Sequence, residues 1–131
     1  MKTSKMASLR ASELTGAALD WAVAIVEGMR IEVRPKSACG RPLYVLAAEQ
    51  GREPWLWYPS TDWAQGGPII EREGISIAWN GTGRWQAANA SHHVLPDYVT
   101  AFGPTPLIAA MRCYVASKLG DEVTVPEELK E

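Results

Sequence analysis

The sequence predicts an α+β fold, a small antiparallel sheet packed between helices, on three observations. Apolar residues recur at helical spacing near both ends of the chain, and short segments between them alternate with period two. Asn80-Gly81-Thr82-Gly83 then joins two alternating segments as a hairpin turn. The order reads α-β-β-α-β-β-α, which favours a sandwich-like layering of helices on antiparallel strands.

The first helix is expected over 13–27. Ser12 offers an N-cap, Glu13 suits the positive end of the helix dipole, and Leu14, Ala17, Ala18, Trp21, Ala22 and Ile25 share a face. Gly28 is the stop. Gly16 costs about 1 kcal/mol relative to alanine inside a helix, and nothing in the sequence explains it. Ile31-Glu32-Val33-Arg34 alternates as a short strand closed by Pro35. Leu43 to Ala48 reads as a strand or a loose helical turn, and Trp55-Leu56-Trp57-Tyr58 as an aromatic strand ended by Pro59.

Ser60-Thr61-Asp62 opens the next helix, which Gly66-Gly67-Pro68 interrupts, so a broken helix over 61–65 and 68–73 is expected before Gly74. Ile75 to Trp79 and Arg84 to Ala88 form the hairpin. Residues 89–104 are irregular, with a short edge strand near Tyr98 to Ala101. Thr105 caps a helix over 106–119, with Pro106 in its first turn and Leu107, Ile108, Met111, Tyr114, Val115 and Leu119 on its apolar face.

At 131 residues the chain has the size of one domain, expected over 12–126. Residues 1–11, with Lys2, Lys5 and Arg10 and no acid, read as a flexible tail, and 127–131 as an acidic one. Folding a chain this long buries roughly two-thirds of the surface of the open chain, enough for a core without staples. No apolar run approaches the roughly 20 residues of a membrane span. The longest, Ala17 to Val26, contains Asp20. The N-terminus lacks a secretory signal, so the expected location is the cytoplasm and Cys39 and Cys113 are expected as free thiols.

The net charge of −2 is a poor footprint for a phosphate backbone. Within the body of the chain, basic residues gather over 30–52, where Arg30, Arg34, Lys36, Arg41 and Arg52 outnumber Glu32 and Glu49. Phosphate-cradling glycine motifs, a Gly-x-Ser-x-Gly elbow and paired cysteine doublets are all missing from the sequence. No cofactor or metal is expected. His92 and His93 are adjacent, so in an extended segment they point to opposite faces and cannot share an ion. Glu71 and Glu73 are two apart on a helix, do not face each other and read as solvated.

Two clusters are candidate binding sites. Ser60, Thr61, Asp62 and Trp63 read structurally as a capped helix entry with a core-anchored tryptophan, and functionally as a polar-ligand site where helix-start amides are exposed. Asp62 argues against an anion there. Six tryptophans exceed ordinary usage. Trp21, Trp79 and Trp85 fit the core, whereas Trp55 and Trp57 share one strand face that either packs inward or, if exposed, stacks bases or sugars or docks a partner.

Tyr58 to Ile75, Tyr-Pro-Ser-Thr-Asp-Trp-Ala-Gln-Gly-Gly-Pro-Ile-Ile-Glu-Arg-Glu-Gly-Ile, resembles the signature of the NinX-like family of phage and prophage proteins. Ser12 to Gly16 and Thr105 to Glu122 resemble it too. The layout is more distantly similar to the phage α-β-α sandwich domains. The chain departs from the family in its longer basic N-terminus and in the 36–57 segment. The resemblance implies a phage or prophage protein of unknown function acting inside the bacterial host cell, with a helix–sheet–helix sandwich. It carries no activity and no residue roles.

The function expected is that of a non-enzymatic accessory protein binding a host or phage protein. A nucleic-acid module using the 30–52 basic residues with Tyr44 and the 55–58 aromatics is the alternative. A small enzyme or ligand-binder around Ser60, Asp62 and His92 or His93 is the third reading.

Overall fold

The structure, a computed structural model, describes residues 5–34, 44–89 and 99–129. Expected features at Lys36, Cys39, Arg41, His92 and His93 lie outside the described residues.

The α+β class and the antiparallel pairing are as the sequence predicts. Among the described residues, helices α1 (Gly16–Glu27), α2 (Trp63–Glu73) and α3 (Pro106–Leu119) accompany eight strands. The strands divide among three antiparallel sheets. β2 (Arg30–Arg34), β3 (Tyr44–Glu49) and β4 (Arg52–Trp57) form one, and β5 (Ser76–Trp79), β6 (Trp85–Asn89) and β7 (Val99–Gly103) a second. β1 (Met6–Arg10) and β8 (Glu122–Pro126) make a two-stranded ribbon. α1 packs on the first sheet and α3 on the second, and the two helices pack on each other. Their buried residues, among them Leu19, Ala22, Val23, Ala110, Met111 and Val115, belong to one core that Leu14, Trp57, Ile69 and Val125 complete.

Local chemistry explains several boundaries. The Thr105 hydroxyl accepts the Ile108 amide at 3.1 Å, capping α3 over the expected span. The hairpin turn closes through Asn80, whose side-chain oxygen accepts the Thr82 amide at 3.0 Å and hydroxyl at 2.8 Å. Trp79 and Trp85 are direct partners in its ladder and meet edge-to-face at 5.3 Å. Gly16 has φ +58° at the entrance of α1, a conformation that excludes most other residues.

The structure corrects four sequence expectations. The expected tail of 1–11 holds a strand over Met6–Arg10, because Ala7 and Leu9 alternate inward and pair with Val125 and Val123. The stretch after Leu119 is likewise a strand, with Val123 and Val125 buried, and Leu129 of the expected acidic tail is buried in a 3-10 turn. The first helix starts at Gly16, preceded by a 3-10 turn over Ala11–Glu13, so Ser12 is not its cap. α2 is continuous through Gly66, Gly67 and Pro68. Its cap and its packing outweigh glycine propensity and the hydrogen bond that Pro68 forfeits.

Candidate functional site

The Ser60–Thr61–Asp62 turn is fixed from three sides. The Tyr58 carbonyl accepts the Thr61 and Asp62 amides, both at 3.1 Å. Asp62 is the N-cap of α2, its carboxylate accepting the Ala64 amide at 3.2 Å. Gln65 reaches back to the free edge of β4, where its side-chain oxygen accepts the Tyr58 amide at 2.7 Å and its side-chain nitrogen donates to the Leu56 carbonyl at 2.8 Å. This side chain stands in for a neighbouring strand and blocks further pairing at that end of the edge. Gly66 completes the seat: a Cβ there would lie 2.5 Å from the Pro59 carbonyl oxygen and 2.7 Å from Leu107 Cδ2.

Beneath the turn lies a buried acid. Asp20 of α1 is 5% exposed, and its Oδ1 accepts the Ser60 amide at 2.9 Å. Its backbone carbonyl accepts the Trp57 indole N–H at 3.0 Å. Burial pushes the Asp20 carboxyl up to about 7, against the opposing pull of the Ser60 amide. The Ser60 hydroxyl is buried with no hydrogen-bond partner among the described residues. Two contacts of one residue therefore bolt α1 to the β4–α2 connection.

Strand alternation sorts the aromatics. Trp57 is 8% exposed, and Trp55 packs against the core from the same face, with the Arg52 guanidinium 4.1 Å from its ring centre. Leu56 and Tyr58 point outward and are exposed. Trp63, read from the sequence as core-anchored, is 54% exposed because it opens α2 on the solvent side, and Trp79 is as exposed at the hairpin edge. Of the sequence-predicted binding residues, Ser60 and Trp57 are thus interior, Trp55 and Asp62 are half-buried, and Thr61 and Trp63 are exposed. Ser60 pairs with Asp20 and not with Asp62, whose carboxylate is engaged as a cap.

A second polar cluster links all three helices. Arg72 of α2 binds both Glu27 oxygens, at 2.5 and 3.3 Å, and reaches the Tyr114 hydroxyl at 3.0 Å. That hydroxyl also donates to Glu27, and Glu73 joins Arg72 at 3.1 Å and Lys118 at 3.2 Å. Burial and the Glu27 carboxylate hold the Tyr114 phenol well above its ordinary range. Burial pulls the Glu73 carboxyl upward, but hydrogen bonds from Arg72 and Lys118 prevail and leave it lowered. Glu73 is therefore an ion-pair partner and not the solvated acid expected, while Glu71 is exposed.

Sequence reasoning missed Asp20, Gln65 and the Arg72 cluster. The available signal was Asp20 itself, the single acid in the apolar run 17–26. Cys113 is a free, buried thiol pushed up to about 11 by burial, an unreactive setting. Among the described residues no three His, Cys, Asp or Glu side chains gather as metal ligands, and no helix is long and apolar enough to cross a membrane.

Fold and site define a small α+β domain in which a capped Ser-Thr-Asp helix entry is locked onto a buried acid. The chain belongs to the phage protein family described as Bacteriophage P22, NinX, whose model matches residues 10–118. The match spans Ser12–Gly16, Tyr58–Ile75 and most of Thr105–Glu122, and stops short of β8. No curated protein matches the chain.

Proposed function

We propose that this phage-family chain is a non-catalytic accessory protein that acts inside the host cell by docking a protein partner. The observation that carries the reading is the turn between β4 and α2. Leu56, Tyr58 and Trp63 are large, exposed and close in sequence, and the backbone that bears them is fixed by Gln65, Asp62 and Gly66. Rigid exposed aromatics are the typical anchors of protein interfaces, because they bury much area at little entropic cost. Thr61 and Asp62 supply a polar rim. The aromatic pair that a nucleic-acid reading would use for stacking, Trp55 and Trp57, faces the core.

The test compares equally exposed tryptophans. Replacing Trp63 by a photo-crosslinking phenylalanine analogue in phage-infected cells should yield one dominant protein adduct. The Tyr58→Ala/Trp63→Ala double variant should lose capture of that protein, whereas Trp79→Ala, altering the other exposed indole, should retain it. Capture undiminished in the double variant, or adducts to nucleic acid alone, would overturn the reading.

A further inference from the structure

A second site lies on the other sheet. A cavity of about 410 Å³ is lined by Ser12, Arg84, Thr100, Phe102 and Arg112, with Gly83, Ala101, Gly103 and Pro104 completing its wall. Its volume falls within the roughly 300–1,000 Å³ of ordinary small-molecule pockets. Two of its nine lining residues are arginines and none is acidic.

Both guanidiniums are held in place by groups that leave their charge uncompensated. Arg112, half-buried in α3, donates from Nε to the Leu14 carbonyl at 2.7 Å and from Nη1 to the Phe102 carbonyl at 2.8 Å. Neutral carbonyls use its N–H groups without cancelling the cation, and among the described residues Nη2 has no partner. Arg84 lies over the Phe102 ring, 4.3 Å from its centre, again a contact that orients the charge without neutralising it. Among the described residues no carboxylate pairs with either arginine. This contrasts with Arg72, which has two carboxylate partners.

We propose that this cavity binds a small phosphate monoester, with Arg84 and Arg112 taking its oxygens and Ser12 and Thr100 offering hydroxyl donors. Two cations and two hydroxyls on different elements match a dianion with three terminal oxygens better than a carboxylate, which has two oxygens and one charge. The space exceeds that of a phosphate group alone, so the remainder of the ligand has the size of a nucleoside, lying beside Phe102.

The experiment is an amide NMR titration of the full chain at constant ionic strength with inorganic phosphate, adenosine 5′-monophosphate, acetate and a short single-stranded DNA without a terminal phosphate. Saturable shifts at Gly83, Thr100 and Gly103 are expected with phosphate, with tighter binding of the nucleotide. Arg84→Gln, at an exposed position, should weaken both by about tenfold or more, which corresponds to about 1.4 kcal/mol. Arg112→Lys keeps the charge but not the fork and should weaken them too, its fold checked by an unchanged spectrum elsewhere. No saturable shift with phosphate up to about 20 mM, where a site weaker than that carries no specific affinity, would overturn the proposal. So would acetate binding as tightly as phosphate, DNA binding alone, or unchanged affinity in Arg84→Gln.

Discussion

Two polar arrangements hold the helices of this protein, and they are built on opposite principles. At the β4–α2 junction a single acid, Asp20, sits in the core with backbone and indole donors and, among the described residues, no cation beside it. Between the helices, Glu27, Arg72, Tyr114, Glu73 and Lys118 share their charges in a half-exposed network. The first is specific in geometry and costly in charge. The second is cheap in charge and redundant in geometry. Position is enforced where the chain turns sharply, while the helix surfaces are merely held together.

The sharpest separation of the two is by pH. Asp20 is raised in the fold from 3.8 to about 7, so the native state keeps a proton that the unfolded chain loses. Its favourable contribution is present below pH 4 and is lost as pH rises to 7. Asp20→Asn keeps the oxygen acceptor for Ser60 and removes the titration. Urea unfolding at pH 4 and pH 8 should show the variant gaining on the parent by up to about 4 kcal/mol over that range. A constant difference would place the acid in a wetter setting than the structure shows.

Steric precision at the junction is tested next. Gly66→Ala drives a Cβ against the Pro59 carbonyl, an atom that cannot swing aside, and should cost about 3 kcal/mol in denaturant midpoint measurements. Gly67→Ala, whose Cβ would meet only Trp63 at 3.9 Å, should be neutral or slightly stabilising and serves as its control.

The network should yield less. Arg72→Met removes a half-exposed cation with several partners and should cost about 1 kcal/mol, shrinking in 1 M salt as screening takes over. The Asp20 effect should survive that salt. Smallest of all, Trp63→Ala should change stability by less than about 0.5 kcal/mol, since its ring is mostly in water. A larger loss would mean that Trp63 packs in solution.

What could be read from the sequence follows the range of the forces involved. Thr105, Pro106 and Gly120 set the limits of α3 through neighbours within a turn, and Asn80-Gly81-Thr82-Gly83 set the hairpin in the same way, so both were legible. α2 was misread as broken because the virtue of Gly66 lies in contacts with Pro59 and Leu107, which no local propensity records. β1 was misread as a tail, and β8 went unforeseen, because each alternates over only a few residues and finds its partner far along the chain. Their charges spoke louder than Val123 and Val125. At the candidate site, the Ser60–Trp63 stretch was visible as a motif, but its orientation was not. Whether Trp57 faces in and Trp63 faces out depends on which side of β4 meets α1.

The pairing of Met6 with Pro126 and of Arg10 with Glu122 carries a consequence for biogenesis. A ribosome that has released α3 still withholds the strand that Leu9 awaits, so the nascent polypeptide emerges with that border unzipped. Only when Glu122–Pro126 clear the exit tunnel can the ribbon fasten, so β1 waits for its partner until all three helices have emerged.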